Sequence, residues 1–293
     1  MQDRSGEFQR HRPRLFGIAY RMLGSRTDAE DVLQDAYLRW HRGASQDLRS
    51  PEAWLVTMVT RLCIDRLRAA RTEREHYVGP WLPEPLIGDA APAADARAEL
   101  SSSLSIAFLV VLEQLEPDER AAFLLREVFD TEYAEIAEIL GKSEAACRQI
   151  VSRARKRVRG RRPRAQVSDA ARRSVLERFA DAIQTQDKAA LLALVAEKAS
   201  WTSDGGGKAR AARKVIRGRE RVVRFVLAVL GRHTDQFAFE MTAVNGEPAL
   251  AIRAEGRLFS VITVRTDGLR ILDVYTVLNP SKLAAPAPAP AQG

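Results

Sequence analysis

One glycine constrains this chain most: Gly141, set between two runs of helical periodicity in TEYAEIAEILGKSEAACRQIVSRARKRVR, Thr131 to Arg159. Before it, Tyr133, Ile136, Ala137, Ile139 and Leu140 recur at helical spacing, with Thr131 expected as the N-cap. Glycine supplies the left-handed residue that ends a helix, and Ser143 followed by Glu144 can start the next one, so the stretch predicts a helix-turn-helix. In the second helix Cys147, Val151, Ala154 and Val158 form one apolar stripe, which leaves Arg148, Gln149, Ser152, Arg153 and Lys156 off it. An apolar back with such a front suits the major groove, because Arg forks onto guanine and Gln onto adenine. A charged helix solvated in an ordinary bundle would have the same composition, so the choice rests on the turn and on the rest of the chain.

A length of 293 residues fits two domains or three, each able to bury a core. No apolar run approaches membrane-spanning length and MQDRSGEFQRHRPR lacks an apolar leader segment, so the expectation is a cytoplasmic protein without a membrane partner. Cys63 and Cys147 fall on apolar helix positions without Cys or His at ligand spacing, so packing is expected for both and neither a metal nor a cofactor. The net charge of +8 is uneven: residues 1–78 carry +3, 79–130 carry −7, 131–164 carry +6 and 165–293 carry +6. Cations concentrated in two places point to polyanion contact there, not to uniform coating of nucleic acid.

Towards the N-terminus, a helix is expected around Arg14 to Leu23 and a second behind Thr27 as N-cap, with Asp28, Glu30 and Asp31 at its start and Asp31, Gln34, Asp35 and Arg39 on its exposed face. A polar loop, Gly43 to Arg49, leads to Ser50-Pro51-Glu52, a cap, a first-turn proline and an acid that open a long helix. Its C-terminal half carries Arg61, Arg66, Arg68, Arg71 and Arg74, which either complement the helix dipole or meet DNA.

DAEDVLQDAYLRWHR, SPEAWLVTMVTRLCIDRLRAARTERE and LEPDERAAFLLREVFDTEYAEIAEILGKSEAACRQIVSRARKRVR, in that order, resemble the extracytoplasmic-function sigma factors of bacterial RNA polymerase over about the first 160 residues. The resemblance implies two all-α domains, a helical bundle and the helix-turn-helix, with core RNA polymerase (its beta-prime clamp and beta flap) and promoter DNA as partners. It places Asp31, Gln34 and Asp35 on the polymerase clamp, and Arg61, Asp65, Arg66 and Arg68 near the minus-ten element. Arg148 and Arg153 fall at the minus-thirty-five element, and Gln149, Ser152 and Lys156 share that face. Trp54 and the Gly43–Arg49 loop are candidates for catching extruded bases, with core packing the alternative for Trp54. The chain departs from the pattern at Cys63-Ile64 and at Ile150, where relatives carry small or polar residues.

Between the two sigma domains, Trp81-Leu82-Pro83-Glu84-Pro85-Leu86 alternates large apolar residues with prolines, which reads as a stiff docking strip inside an extended linker. Beyond Arg164, helices capped by Ser168 or Asp169 and by Asp187 precede a strand at Ala199–Ser203, the loop Asp204-Gly205-Gly206-Gly207-Lys208 and a helix near Gly218–Leu230. Asn245-Gly246, Glu255-Gly256 and Asp267-Gly268 then punctuate alternating runs of an antiparallel meander. This α+β pattern is similar to the cone-shaped SnoaL/NTF2-like domains, relatives of polyketide cyclases and ketosteroid isomerases. A subgroup of the sigma factors carries one, together with a WLPEPL-type linker, a DGGGK loop and a motif seen here as Asn279-Pro280-Ser281-Lys282-Leu283.

The expected organisation is a region 2 domain at 1–78, a linker at 79–100, a region 4 domain at 101–164, a SnoaL-like regulatory domain at 165–283 and a disordered tail at 284–293. The three motifs are expected to meet at an interface that controls the sigma domains in cis; the cone implies room for a small apolar ligand, and the free protein is expected to be a monomer. Two other readings stay open. An isomerase or cyclase fused to a DNA-binding module would need an acid/base pair, for which His233, Asp204 and Asp273 are the sparse candidates. A dimeric ligand-responsive repressor would leave residues 1–78 unexplained.

Overall fold

The computed structural model describes residues 4–43, 50–88, 104–159, 167–231 and 236–284. The expected Gly43–Arg49 loop beyond Gly43, His233 and the tail from 285 lie outside them, as does most of the linker beyond Gly88. The chain divides into two compact units, Met1–His76 with Asp89–Arg164 and Tyr77–Gly88 with Ala165–Gly293.

In the first unit α1 (Arg4–Leu23), α2 (Arg26–Gly43) and α3 (Pro51–Glu75) pack together. α1 starts well before Arg14 and runs through Pro13, because Phe8 is buried with its ring edge-on to Tyr37 at 5.1 Å. α2 begins at Arg26, not behind Thr27: the Ser25 hydroxyl accepts from the Asp28 amide at 3.2 Å and so is the cap. Ser50 caps α3 as expected, accepting from Ala53 N at 3.2 Å.

The remaining helices of this unit are α4 (Ile106–Leu112), α5 (Pro117–Glu127), α6 (Tyr133–Leu140) and α7 (Glu144–Arg159). Gly141 ends α6 at φ 63°, and Ser143 caps α7 by accepting from Ala146 N at 3.2 Å. Thr131 does not cap α6. Its amide donates to Leu125 O at 2.9 Å to close the turn after α5, and Glu132 takes the N-cap position. α5 packs on α1 and α3, and α6 on α3, so both expected sigma domains belong to one unit. The buried Arg21 guanidinium, lowered by burial to about 10, spans this contact from Gly17 O at 3.0 Å to the Phe129 ring at 5.4 Å.

In the second unit α8 (Asp169–Gln184) and α9 (Lys188–Leu194) carry the expected Ser168 and Asp187 caps. They pack with α10 (Arg219–Val229) around a six-stranded sheet ordered β2-β1-β6-β5-β4-β3. The strands are β1 (Val195–Asp204), β2 (Ile216–Arg217), β3 (Phe237–Val244), β4 (Glu247–Ala254), β5 (Arg257–Thr266) and β6 (Ile271–Val277). β3 to β6 form the expected meander, turned by Asn245 and Gly246 at φ 56° and 80° and by Glu255 and Gly256 at 49° and 74°. Val195 belongs to β1 and not to the helix before it, and β1 pairs parallel with β6, so the sheet is mixed. A short helix, α11 (Pro280–Leu283), follows with Asn279 as its cap.

α8 is pinned to the sheet by Arg172, which donates to Val264 O at 3.1 Å and meets Glu247 at 3.0 Å. Burial raises the Glu247 carboxyl from 4.5 to about 7, against the pull of Arg172. The folded chain therefore holds a proton that the unfolded chain has released, so this group's contribution is complete below about 4.5 and is lost as pH rises to about 7. Replacing Glu247 by Gln removes that slope: in urea unfolding, the stability of wild type relative to the variant should fall by up to ~3 kcal/mol between these limits. Parallel pH curves for the two proteins would refute the assignment.

Candidate nucleic-acid interface and the Asp204 cluster

On α7 the stripe is buried as the spacing requires, with Cys147, Val151 and Ala154 at 0% and Val158 at 1% exposure. Ile150 is buried with them, so this departure from the family pattern lies on the packed back. Arg148, Gln149, Ser152, Arg153 and Lys156 are exposed. Arg148 is steadied by Glu144 at 2.6 Å and by the Tyr133 ring at 5.0 Å, whereas Gln149, Ser152, Arg153 and Lys156 make no hydrogen bond or ion pair among the described residues. Arg155 and Arg157 instead tie the helix to α5 through Glu127 and Glu119. Apart from Arg148, the face that would meet bases therefore keeps its side chains free among the described residues.

The basic half of α3 differs, because each of its Arg side chains named from the sequence is engaged within the unit. Arg61 donates to the last carbonyls of α6, Ile139 O at 3.0 Å and Glu138 O at 2.8 Å, where the dipole favours a cation. Arg66 meets Asp28, Arg68 meets Asp118 at 2.9 Å and Arg71 meets Glu116 at 3.4 Å. Arg74 pairs with Glu113 and donates to Leu23 O at 3.1 Å. Glu113 also holds Arg120 at 2.8 Å, whose guanidinium caps Met22 O at 2.6 Å. Glu113 and Arg120 escaped sequence reasoning, since a buried ion pair seven residues apart across a helix break has no periodic signature. Asp65 is exposed, and Trp54 is half-buried 5.5 Å from the Trp40 ring. On α2, Asp31, Gln34 and Asp35 are exposed on one face together with Leu38 at 42%, an apolar residue missed in sequence although it completes the helical spacing.

The strip Trp81–Leu86 is not a free linker; it belongs to the second unit with Tyr77. Leu82 and Leu86 are buried at 1% and 0%, and Pro83 and Pro85 are buried beside them. Leu86 and Asn245 exchange two hydrogen bonds of 2.8 Å, and Ile87 bridges Val244 antiparallel, so the strip extends the sheet beyond its edge strand β3.

Asp204 gathers the three motifs. Its carboxylate, fully buried, accepts from Tyr77 Oη at 2.6 Å, Leu82 N at 2.8 Å and Lys282 Nζ at 2.7 Å, while its carbonyl accepts from Leu278 N and Asn279 N. Lys282 also donates to Leu82 O and lies 4.1 Å from the Trp81 ring centroid. Burial, with Asp204 alongside, pushes the Tyr77 hydroxyl up, so it stays a donor at any physiological pH. Asn279 Nδ2 reaches Tyr77 Oη at 2.9 Å, and Lys208 Nζ reaches Ser281 Oγ at 2.6 Å.

The glycines of the loop permit this approach. A Cβ on Gly206 would sit 2.2 Å from Asn279 Nδ2 and 2.9 Å from Tyr77 Oη, at φ 58°, and one on Gly205 would sit 2.4 Å from Ala209 O. Gly207, at φ 72°, faces Val78 at 3.3 Å. Glu84 is half-buried, Pro280 is exposed, and Leu283 is half-buried in α11. Tyr77 was missed in sequence because a single Tyr after an Arg-rich helix carries no motif.

A cavity of about 620 Å³ opens in the same unit, walled by Trp201, Phe225, Phe237 and Phe259, with Arg210 and Thr276 among its polar lining. No Asp, Glu or His lines it among the described residues. Of the acid/base candidates, Asp204 is consumed by the cluster and Asp273 by Ser200 and Arg265. Among the described residues no group of His, Cys, Asp and Glu could hold a metal ion, and no helix is long and apolar enough to cross a membrane. Cys63 and Cys147 are buried free thiols whose pKa burial raises, which suits packing.

The helical modules define the class: residues 8–73 match the Sigma-70 region 2 family and residues 105–158 match Sigma-70, region 4. The ECF RNA polymerase sigma factor SigJ of Mycobacterium tuberculosis (strain ATCC 25618 / H37Rv) is 38% identical over 291 residues, covering 94% of this chain and 92% of the relative. The probable ECF RNA polymerase sigma factor SigI of Mycobacterium tuberculosis (strain CDC 1551 / Oshkosh) is 30% identical, covering 95% and 94%. The crystal structure of Mycobacterium tuberculosis SigJ superposes with a TM-score of 0.74 at 36% identity, covering 95% of this chain and 98% of that one. The chain belongs to the extracytoplasmic-function RNA polymerase sigma factors, and its relatives are transcription initiation factors and not enzymes.

The Asp204 cluster makes a direct prediction for hydrogen exchange. In Gly206→Ala, or in Asp204→Asn, the Leu82 amide should lose most of its protection, while amides of α7 keep theirs. Equal Leu82 exchange in wild type and both variants would show that Asp204 does not hold the strip.

Proposed function

We propose that this chain recruits core RNA polymerase through the α2 face carrying Asp31, Gln34, Asp35 and Leu38, and reads a two-part promoter. α7 reads the minus-thirty-five element through Arg148, Gln149, Ser152, Arg153 and Lys156. α3 engages the minus-ten element through Trp54, Arg61, Asp65, Arg66 and Arg68. The observation that carries this reading is the free cationic face of α7, since a surface that keeps Arg153 and Lys156 unpaired beside so many paired arginines is built for an external anion.

The engaged arginines of α3 define a closed state. Glu116 and Asp118 occupy Arg71 and Arg68 as phosphates would, and Arg61 is spent on α6. Exposed pairs are each worth ~1 kcal/mol or less, so polymerase and promoter can exchange them for their own contacts. The second unit regulates that exchange in cis. A single residue, His76, separates Glu75 at the end of α3 from Tyr77 in the Asp204 cluster, so one residue of chain tethers the regulatory unit to the end of the helix that reads the minus-ten element. Such a tether gives an effective concentration on the order of millimolar, enough for weak contacts to control the sigma domains. The aromatic cavity supports a second, narrower reading, in which a small apolar ligand sets the state of that unit.

Run-off transcription with core polymerase tests the division of labour. Arg153→Ala should lower initiation at promoters whose minus-thirty-five element is intact by ~1–3 kcal/mol of recognition, about 5- to 150-fold, without weakening polymerase binding. Loss of polymerase affinity with unchanged promoter choice would contradict the assignment.

A further inference from the structure

The second unit carries a cationic surface that the Asp204 cluster does not explain, and of its cations only Arg210 lines the cavity. Between Arg210 and Arg224, every fully exposed residue is charged: Arg210, Arg213, Lys214, Arg217, Arg221 and Arg224, with Glu220 the one acid. The segment runs from the loop after β1 through β2, the short edge strand paired to β1, into α10. On α10, Arg221 and Arg224 lie three residues apart on one face, and Arg217 ends the strand β2 just before that helix.

None of the six cations makes an ion pair or hydrogen bond among the described residues. In the helical unit many surface arginines are paired, as with Arg12–Glu30, Arg14–Glu52, Arg68–Asp118, Arg155–Glu127 and Arg157–Glu119. Arg153 and Lys156 on the reading face of α7, and Arg173, Arg178, Arg257 and Arg270 in the second unit, are also exposed without a pair among the described residues, so what sets 210–224 apart is six such cations in one stretch. Glu113, Glu116, Asp118, Glu119 and Glu127 in the acidic middle of the chain already hold cations of their own unit. Among the described residues, the free cations of 210–224 thus have no acid that neutralises them.

We infer that this surface, Arg210 to Arg224, binds the phosphate backbone of duplex DNA, as a second nucleic-acid contact beside the two promoter readers. An acidic protein patch is the competing occupant, but protein interfaces centre on apolar and aromatic residues, and this surface exposes none. Five arginines and one lysine, with no Asn or Gln among the exposed residues, suit phosphate contact and not base reading. The contact is thus sequence-independent, adding affinity for DNA around a promoter without adding specificity. At the head of α10, Arg219 leaves its buried Nε without a partner, which also fits a guanidinium awaiting an anion.

The test uses the full chain and a labelled duplex of about 25 base pairs that contains no promoter element. Affinity is measured against salt for wild type and for a variant with Arg213→Gln, Lys214→Gln, Arg217→Gln and Arg221→Gln. Each phosphate contact contributes about 0.9 to the slope of log K on log salt, so the variant, with four cations removed, should lose up to about 3.6 from the slope and bind at least ~10-fold more weakly near ~100 mM salt. A second variant with Arg213→Lys, Arg217→Lys and Arg221→Lys keeps the charge and should keep the slope, which separates charge from any folding defect. An unchanged slope in the glutamine variant overturns the inference. So does a variant that binds the duplex like wild type but loses affinity for core polymerase, because the surface then serves an acidic protein. The inference rests on the chain working at promoters, yet the two can fail separately: run-off transcription reports on the sigma reading, and the promoter-free duplex reports on this surface alone.

Discussion

The second unit depends on one buried carboxylate. Asp204 has no exposure to water, and a bare carboxylate there would cost several kcal/mol, so the fold must bring donors to it. It draws them from two distant parts of the chain: Tyr77 and Leu82 from the segment after α3, and Lys282 from the helix after the last strand. Removing one partner of such a pair typically costs about 3–5 kcal/mol, which explains why so small a cluster can hold a whole segment in place. The glycines beside Asp204 exist for the same reason, since a side chain at Gly206 would occupy the space of Asn279 and Tyr77.

The first unit solves a similar problem with opposite charge. The C-terminal carbonyls of α1 at Met22 and Leu23 are capped by Arg120 and Arg74, and Glu113 bridges the two guanidiniums. Arg120 is 2% exposed, and its cluster is the more buried end of a series that continues through the more exposed pairs Arg71–Glu116 and Arg68–Asp118. The gradient has a functional meaning. The inner knot is costly to break and keeps the helices assembled, while the outer pairs are weak, and one of them holds Arg68, which the proposed reading gives to the minus-ten element.

Local chemistry was legible in sequence and long-range chemistry was not. Gly141, the Ser143 cap and the α7 stripe were readable because each signal lies within one or two helical turns, and the same holds for the Asn245-Gly246 turn and the Phe237–Val244 strand. The resemblance to sigma factors pointed to Arg66 and Arg68, but not to Asp28 and Asp118 as the residues that hold them, because these partners lie 38 and 50 residues away. The strip at Trp81 read correctly as a docking segment by its apolar residues. Its prolines nevertheless placed it inside a linker at 79–100, whereas two buried leucines and a β-bridge at Ile87 tie it to the sheet. The parallel pairing of β1 with β6 had no sequence signal at all.

The central claim is that the Asp204 cluster couples the fused unit to the sigma domains, and the most direct measurement is multi-round run-off transcription at limiting core polymerase with wild-type protein and with Asp204→Asn. If the cluster stabilises the closed state, the variant, folded and with the strip released, should initiate at the same start site with a yield raised by ~3-fold or more. A released strip with wild-type yield would contradict the account, because the cluster would then be a structural staple with no hold on transcription.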